Sequence, residues 1–219
     1  MNQISSFDVE SAENYASVLT HTAAAIRSGR IELAAELLTP VAGHVWTGRV
    51  TNPDPAPPNE STEGRRKRRT ISERLRAEVF MRDGFRCSAC GGRTIPRNVL
   101  VAFSDAYPTE IPYNRHYAAG STHPVYWALA PEADHVVPHS RGGEDTLDNL
   151  TTLHAACNTR KSDRFSQQDL PPLSGAYREP DEWDGLVGSY RSIVALGDQQ
   201  GTRHAALGYH GRWLRIYGA

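Results

Sequence analysis

The sequence predicts an α+β protein: a small core of short strands and helices in mid-chain, between a helical N-terminal region and a helical C-terminal extension. Three observations predict it. Val9, Ala12, Ala16, Leu19, Ala23 and Ile26 recur at three- and four-residue steps, which lines one apolar face of a helix. Two close pairs, Cys87-x-x-Cys90 and His154-x-x-Cys157, use every cysteine of the chain at a spacing that suits one metal ion. Between them "EADHVVP" reads as a strand and "SRGGED" as a loop.

The elements follow in order. Asp8 is a plausible N-cap for a helix over 8–28, and Gly29 its stop. A shorter helix is expected over 31–38, before Pro40. The stretch "TNPDPAPPNESTEG" (51–64) reads as a mobile linker that closes the N-terminal region of 1–50. The central domain is expected over 65–165. In "TISE", Thr70 and Glu73 form a capping box. Ile71, Leu75 and Val79 mark the apolar side of the helix that follows, and "RDG" at 82–84 ends it. "CSACGG" is a metal-binding turn, and 93–132 is an insert. From about 150 to 164 the pattern turns helical. In the extension, 166–219, a helix is expected over about 181–196. The last segment, with Trp213, Leu214, Ile216 and Tyr217, is expected to dock on the core.

Composition narrows the functional classes. A chain of 219 residues with 39% hydrophobic content can bury one good core and smaller appendages. No apolar run is long enough to cross a bilayer, and "MNQISSFDVESAEN" lacks the regions of a secretory signal. The expectation is a cytoplasmic protein with no membrane partner. Three cysteines are an odd number, which argues against a disulfide framework.

The net charge of −1 conceals an asymmetry. Residues 1–64 are acid-rich, whereas "RRKRRTISERLRAEVFMRDGFR" carries nine basic residues against three acidic ones. Such local patches govern nucleic-acid binding. Arg65, Arg66, Lys67, Arg68 and Arg69 would grip a phosphate backbone, with Arg74 on a polar side of the adjacent helix; the competing reading is a solvated linker.

Two metal-relevant sets can be separated. His154 and Cys157 lie three apart on the expected last helix and share a face. With Cys87 and Cys90 they complete a Cys₃His shell, which is a closed structural zinc site. Such a site would staple a core poor in apolar residues. The second set is harder in character. Asp134 and His135 are adjacent, so on a strand they point to opposite faces. Asn158 stands one residue past Cys157, turned about 100° from the zinc-binding face. Aspartate and asparagine oxygens suit a Mg²⁺-type ion, and a histidine suits a general base near neutral pH.

The motifs "RDGFRCSACG", "DHVVPHSRGG", "DNL" and "CNTRKSD", in this order, resemble the HNH endonucleases, also called ββα-metal or His-Me finger nucleases, and in particular a zinc-bearing standalone bacterial or phage type. The resemblance covers about residues 65–165. It implies a zinc-stapled ββα-metal core that hydrolyses DNA phosphodiester bonds. His135 matches the family's general base. Asn149 matches the loop asparagine that orients it through a backbone contact. Asn158 matches the last ligand position, which with Asp134 would bind the catalytic Mg²⁺ or Mn²⁺. Arg160 and Lys161 would contact flanking phosphates. The chain departs in carrying His-x-x-Cys where many members have Cys-x-x-Cys, and in the length of its insert. The insert's aromatic residues Phe103, Tyr107, Tyr113, Tyr117, Tyr126 and Trp127 would touch DNA or, the favoured reading, pack over the small core. His116 and His123 are expected to be structural, His139 to face solvent, and His204 and His210 have no partner pattern. The expected activity is endonucleolytic, with low intrinsic sequence specificity. Two alternatives stay open: a zinc-dependent nucleic-acid-binding module without catalysis, and a nuclease subunit active only with a protein partner. A homodimer is also open.

Overall fold

The computed structural model describes residues 2–6, 8–49, 71–161 and 182–219. The expected linker, the basic residues Arg65, Arg66, Lys67, Arg68 and Arg69, and Thr70 lie outside the described residues, as does the side chain of Arg160.

Strand β1 (Asn2–Ile4) pairs in parallel with β2 (His44–Trp46), and helices α1 (Val9–Arg27) and α2 (Ile31–Leu38) lie between them in sequence. The N-terminal signals act as read. The Asp8 carboxylate accepts from the Ser11 amide at 2.8 Å, satisfying one of the free amides of the first turn. Gly29 ends the helix in the left-handed region, φ +72°.

Helix α3 (Glu73–Arg82) differs in its start. Its N-cap is Ser72, whose hydroxyl accepts from the Leu75 amide at 3.1 Å. The Thr70 capping box falls two residues too early. Gly84, at φ +60°, turns the chain out of α3. Helices α4 (Arg97–Ala106) and α5 (Val125–Ala128) occupy the insert. The antiparallel strands β3 (Pro131–His135) and β4 (Leu150–His154) follow, with Asp134 opposite Thr151 and His135 opposite Leu150. Helix α6 (Ala155–Lys161) continues directly from β4. Residues 150–154 are therefore a strand, not the first turn of a helix. Leu150 and Leu153 sit at a helical step, but pairing with β3 gives Thr151 and Thr152 the extended backbone that β-branched residues favour. The extension carries α7 (Val187–Gln200) and α8 (Tyr209–Tyr217). Helix α7 begins later than expected because Asp184 caps the turn before it, accepting from the amides of Leu186 (2.8 Å) and Gly188 (2.7 Å).

The apolar residues divide into two clusters of unequal size. The larger combines α1 and α2, the insert, and the extension: Leu19, Leu38, Phe103, Tyr126, Ile193 and Trp213 all belong to it. Every residue of α4 from Asn98 to Ala106 is buried in it. The insert's aromatics thus pack, as favoured, but into this helical body. Phe103, Tyr107 and Tyr126 are buried, while Tyr113 and Tyr117 are half-buried against them. His123 is fully buried too; its Nε2 donates to the Val41 carbonyl at 2.8 Å.

The smaller cluster belongs to the strand-and-helix unit. Its buried members are Val79, Phe80, Phe85 and Leu150, with Trp183, Val187 and Tyr217 of the extension packed against them. Asp105 of α4 fastens the extension from the other side. One carboxylate oxygen accepts from the His204 amide and from its Nδ1, each at 2.8 Å. The other accepts from Nε2 of His210 at 2.8 Å. The two tail histidines therefore share a partner about 100 residues away in sequence.

Candidate active site and metal cluster

Helix α3 sets the geometry of both sites by gripping β4. Its last residue, Arg82, donates to the carbonyls of Leu147 and of Leu150, the latter at 2.7 Å. The next residue, Asp83, accepts from the Thr152 amide at 2.8 Å. The turn after α3 brings Cys87 and Cys90 against the end of β4, where the Ser88 amide donates to the Thr152 carbonyl at 2.8 Å.

There Cys87, Cys90, His154 and Cys157 converge, one ligand atom of each lying within 4.8 Å of all the others. Nδ1 of His154 is 3.4 Å from Sγ of Cys90 and 3.9 Å from Sγ of Cys157, and the latter two sulfurs are 4.0 Å apart. A tetrahedral zinc with ordinary Zn–S and Zn–N bonds has edges of about 3.5–3.8 Å, so the donor set fits one such ion. The tautomer agrees. Nε2 of His154 donates to the Arg93 carbonyl at 2.9 Å, which leaves Nδ1 as the bare nitrogen facing the sulfurs. His154 ends β4 and Cys157 lies in α6, so the pair shares the site across a strand–helix junction. Hydrogen bonds from the Cys157 and Cys90 thiols hold the Cys87 sulfur well below the ordinary thiol range, despite its burial. The hydrogen bonds that the Cys157 thiol makes to the Cys87 and Cys90 sulfurs in turn push its own pKa up.

The cluster is braced from the N-terminal region. Glu13 of α1 accepts from the Arg93 amide at 2.9 Å and from its Nε at 2.7 Å. Arg93 also reaches Ser17 of α1 at 2.7 Å. Gly92 stands at the contact; a Cβ there would lie 3.1 Å from the His154 ring and 3.3 Å from Sγ of Cys90. Nothing in the sequence joined Glu13 to Arg93.

The second set gathers on β3 and α6. The Asp134 carboxylate takes the ammonium of Lys161, which also donates to the His135 carbonyl at 2.7 Å. The Lys161 side chain is only 10% exposed there. It is held within the site, not out at a flanking surface. The Asn158 amide donates to the Glu132 carboxylate, two residues before Asp134 on β3. Residues of α6 thus face the Glu132 and Asp134 carboxylates. The His135 imidazole goes elsewhere, its Nε2 2.8 Å from Oδ1 of Asp145, with the His139 ring edge-on at 6.1 Å. His139 is half-buried.

Asn149 closes the loop that carries Asp145. Its Oδ1 accepts from the Val137 amide at 2.9 Å, and its Nδ2 donates to the carbonyls of Val137 (3.2 Å) and Glu144 (3.0 Å). Its own carbonyl accepts from the Val136 amide at 2.8 Å. The two glycines are needed. Gly142 adopts φ +89°, and a Cβ on Gly143 would lie 1.8 Å from the Val137 carbonyl oxygen. On α3, Arg74 is exposed and pairs with Glu78 at 3.0 Å. Among the described residues, no helix is long and apolar enough to cross a membrane.

The loop, β3, β4 and α6 fall within a stretch that matches a known family. The family model described as HNH endonuclease matches residues 127–164, a minor part of the chain. Comparison with curated proteins and with solved structures returned no match.

Proposed function

We propose that this HNH-bearing chain is a metal-dependent endonuclease that hydrolyses DNA phosphodiester bonds. The observation that carries the reading is the placement of His135. It neighbours Asp134 on β3, and its imidazole is held by the Asp145 carboxylate, inside the segment that matches the HNH endonuclease model.

In this reading His135 removes a proton from a water molecule, and the water oxygen attacks phosphorus in line with the leaving 3′ oxygen. Asp134 and Asn158 hold the catalytic ion. Their donor chemistry fits one. The Asp134 carboxylate already accommodates a cation, the Lys161 ammonium, and carboxylate and amide oxygens are hard ligands of the kind such an ion takes. A Mg²⁺- or Mn²⁺-type ion, when bound, supplies charge stabilisation to the phosphate oxygens. Asn149 fixes the loop between the strands. Cys87, Cys90, His154 and Cys157 hold a structural zinc that fixes the β4–α6 junction, from which Asn158 projects.

Arg65, Arg66, Lys67, Arg68, Arg69, Arg74 and Arg160 supply backbone contacts, and Lys161 places a positive charge at the scissile phosphate. Such contacts give affinity that falls with salt and carry little sequence information. Intrinsic specificity is therefore low.

Plasmid nicking tests the proposal. Zinc-loaded protein with Mg²⁺ is expected to nick supercoiled DNA, and chelator or His135→Ala to abolish nicking. Binding to DNA with no cleavage under any divalent ion would overturn it in favour of a non-catalytic binding module. Cleavage only after addition of another protein would overturn it in favour of a partner-dependent subunit.

A further inference from the structure

The general base proposed above needs one bare ring nitrogen, and the fold determines which. His135 is pinned at two points. Lys161 donates to its backbone carbonyl at 2.7 Å, and Asp145 meets its Nε2 at 2.8 Å. The imidazole–carboxylate pair is mostly withdrawn from water, the two side chains being 17% and 22% exposed. Asp145 is ten residues further along the chain and reaches the imidazole only because the intervening loop folds back. That return is constructed by Asn149, which holds Val137 and Glu144, and by Gly143, where a side chain would strike the Val137 carbonyl.

We propose that Asp145 is the positioning residue of the general base: it accepts the Nε2 proton of His135 and so fixes the tautomer in which Nδ1 is bare. An ionised carboxylate can only accept, so the nitrogen facing it must carry the hydrogen. The proton leaving water then goes to Nδ1. The water O–H bond breaks, an Nδ1–H bond forms, and the Nε2–H bond stays intact, donating its hydrogen bond to Asp145 throughout. The inference rests on the nuclease reading for its mechanistic meaning, but its structural half stands without it.

The tests separate the two. In ¹⁵N-histidine-labelled, zinc-loaded protein in alkaline buffer, the ring signals of His135, assigned by their loss in His135→Ala, are expected to report protonated Nε2 and bare Nδ1. Asp145→Ala is expected to shift that population towards the other tautomer and to lower kcat about 100-fold, the scale of a mispositioned reacting group, with KM for DNA unchanged. Asp145→Asn keeps an oxygen that can accept the same proton, and is expected to recover most of the tautomer and part of kcat. Protonated Nδ1 in the wild type would overturn the proposal even if both Asp145 variants misfolded. So would Asp145→Ala cleaving within about threefold of the wild type, given that one well-positioned acid–base group contributes about 10²–10⁴. A wild type that shows the expected tautomer but never cuts DNA would sink the nuclease reading and leave Asp145's hold on the ring intact.

Discussion

Replacing Asp105 with Asn tests whether the C-terminal extension is an integral part of the fold. The side chain is 6% exposed and receives three hydrogen bonds, two from His204 and one from His210. Burial alone would raise its pKa, but the hydrogen bonds from His204 and His210 outweigh it and lower the value from 3.8 to about 2. At about 1.4 kcal/mol per decade, that gap amounts to about 2 kcal/mol of folding stability. A carboxylate with a depressed folded pKa contributes fully above its unfolded value and loses the contribution as pH falls towards the folded one. The window therefore runs from just below pH 4 down to about 2. Asp105→Asn removes the charge and turns an amide towards one of the N–H donors. The Nδ1 of His210 is engaged by the Tyr190 hydroxyl at 2.6 Å, so a change of tautomer would require that hydroxyl to turn from donor to acceptor. One unsatisfied buried donor adds about 1–3 kcal/mol. Urea unfolding at neutral pH should place the variant about 3–5 kcal/mol below the wild type, and about 2 kcal/mol of that difference should disappear as pH falls from 4 to 2. A difference that stays constant through that window would refute the assignment of the depressed pKa to the two-histidine clamp. A neutral-pH loss under about 0.5 kcal/mol, the range of an ordinary surface change, would show that the clamp does not hold the extension.

Three further outcomes are expected. Cys157→Ser should lower zinc affinity by more than about tenfold, since a thiolate ligand is lost, and should abolish cleavage although no residue assigned to chemistry is altered; metal analysis after competition with a chelator and a nicking assay check both. Gly143→Ala puts a methyl group 1.8 Å from the Val137 carbonyl oxygen, so the loop must move; cleavage should fall at least about tenfold, on the scale of small misplacements, with an unchanged far-ultraviolet spectrum. His123 is buried neutral, desolvation lowering its pKa from 6.5 to about 4. Protons then favour the unfolded chain from about pH 6.5 downward, and His123→Phe should flatten the loss of stability between pH 6.5 and 4, as read from urea midpoints.

Local signals and distant contacts differ in how well a sequence shows them. Helix α1 was legible from Asp8 to Gly29 because its period, cap and stop all lie within one window. The Cys₃His set was legible because each half is a short spacing. The strand Leu150–His154 read as helix because Leu150 and Leu153 fit a helical face, and only its pairing with residues 131–135 decides otherwise. The N-cap at Ser72 is hidden in the sequence by Thr70 and Glu73, which offer a stronger local pattern. Asp145 could have been suspected from an acid in a glycine-bearing loop near Asp134 and His135, yet the loop's return is fixed by Asn149 and Gly143, which no spacing rule covers. Asp105 with His204 and His210, and Glu13 with Arg93, join residues 80 to 105 positions apart. No window of sequence holds both partners. The insert was legible as apolar, but its place in the helical body follows from where α1, α4 and α7 meet.

Arg93 joins two things that a parts list would keep separate. Its carbonyl receives the His154 ring proton, while its guanidinium and amide hold Glu13 of the first helix. A cation bound by His154 and the seating of α1 are then thermodynamically linked through a single residue, and such coupling is reciprocal. Whatever α1 adds to the affinity for the ion, the ion adds to the seating of α1. Metal loading should therefore raise the melting temperature of the helical body as well as that of the Cys₃His cluster, in one transition, and a chain shortened from its N-terminus should release its ion sooner.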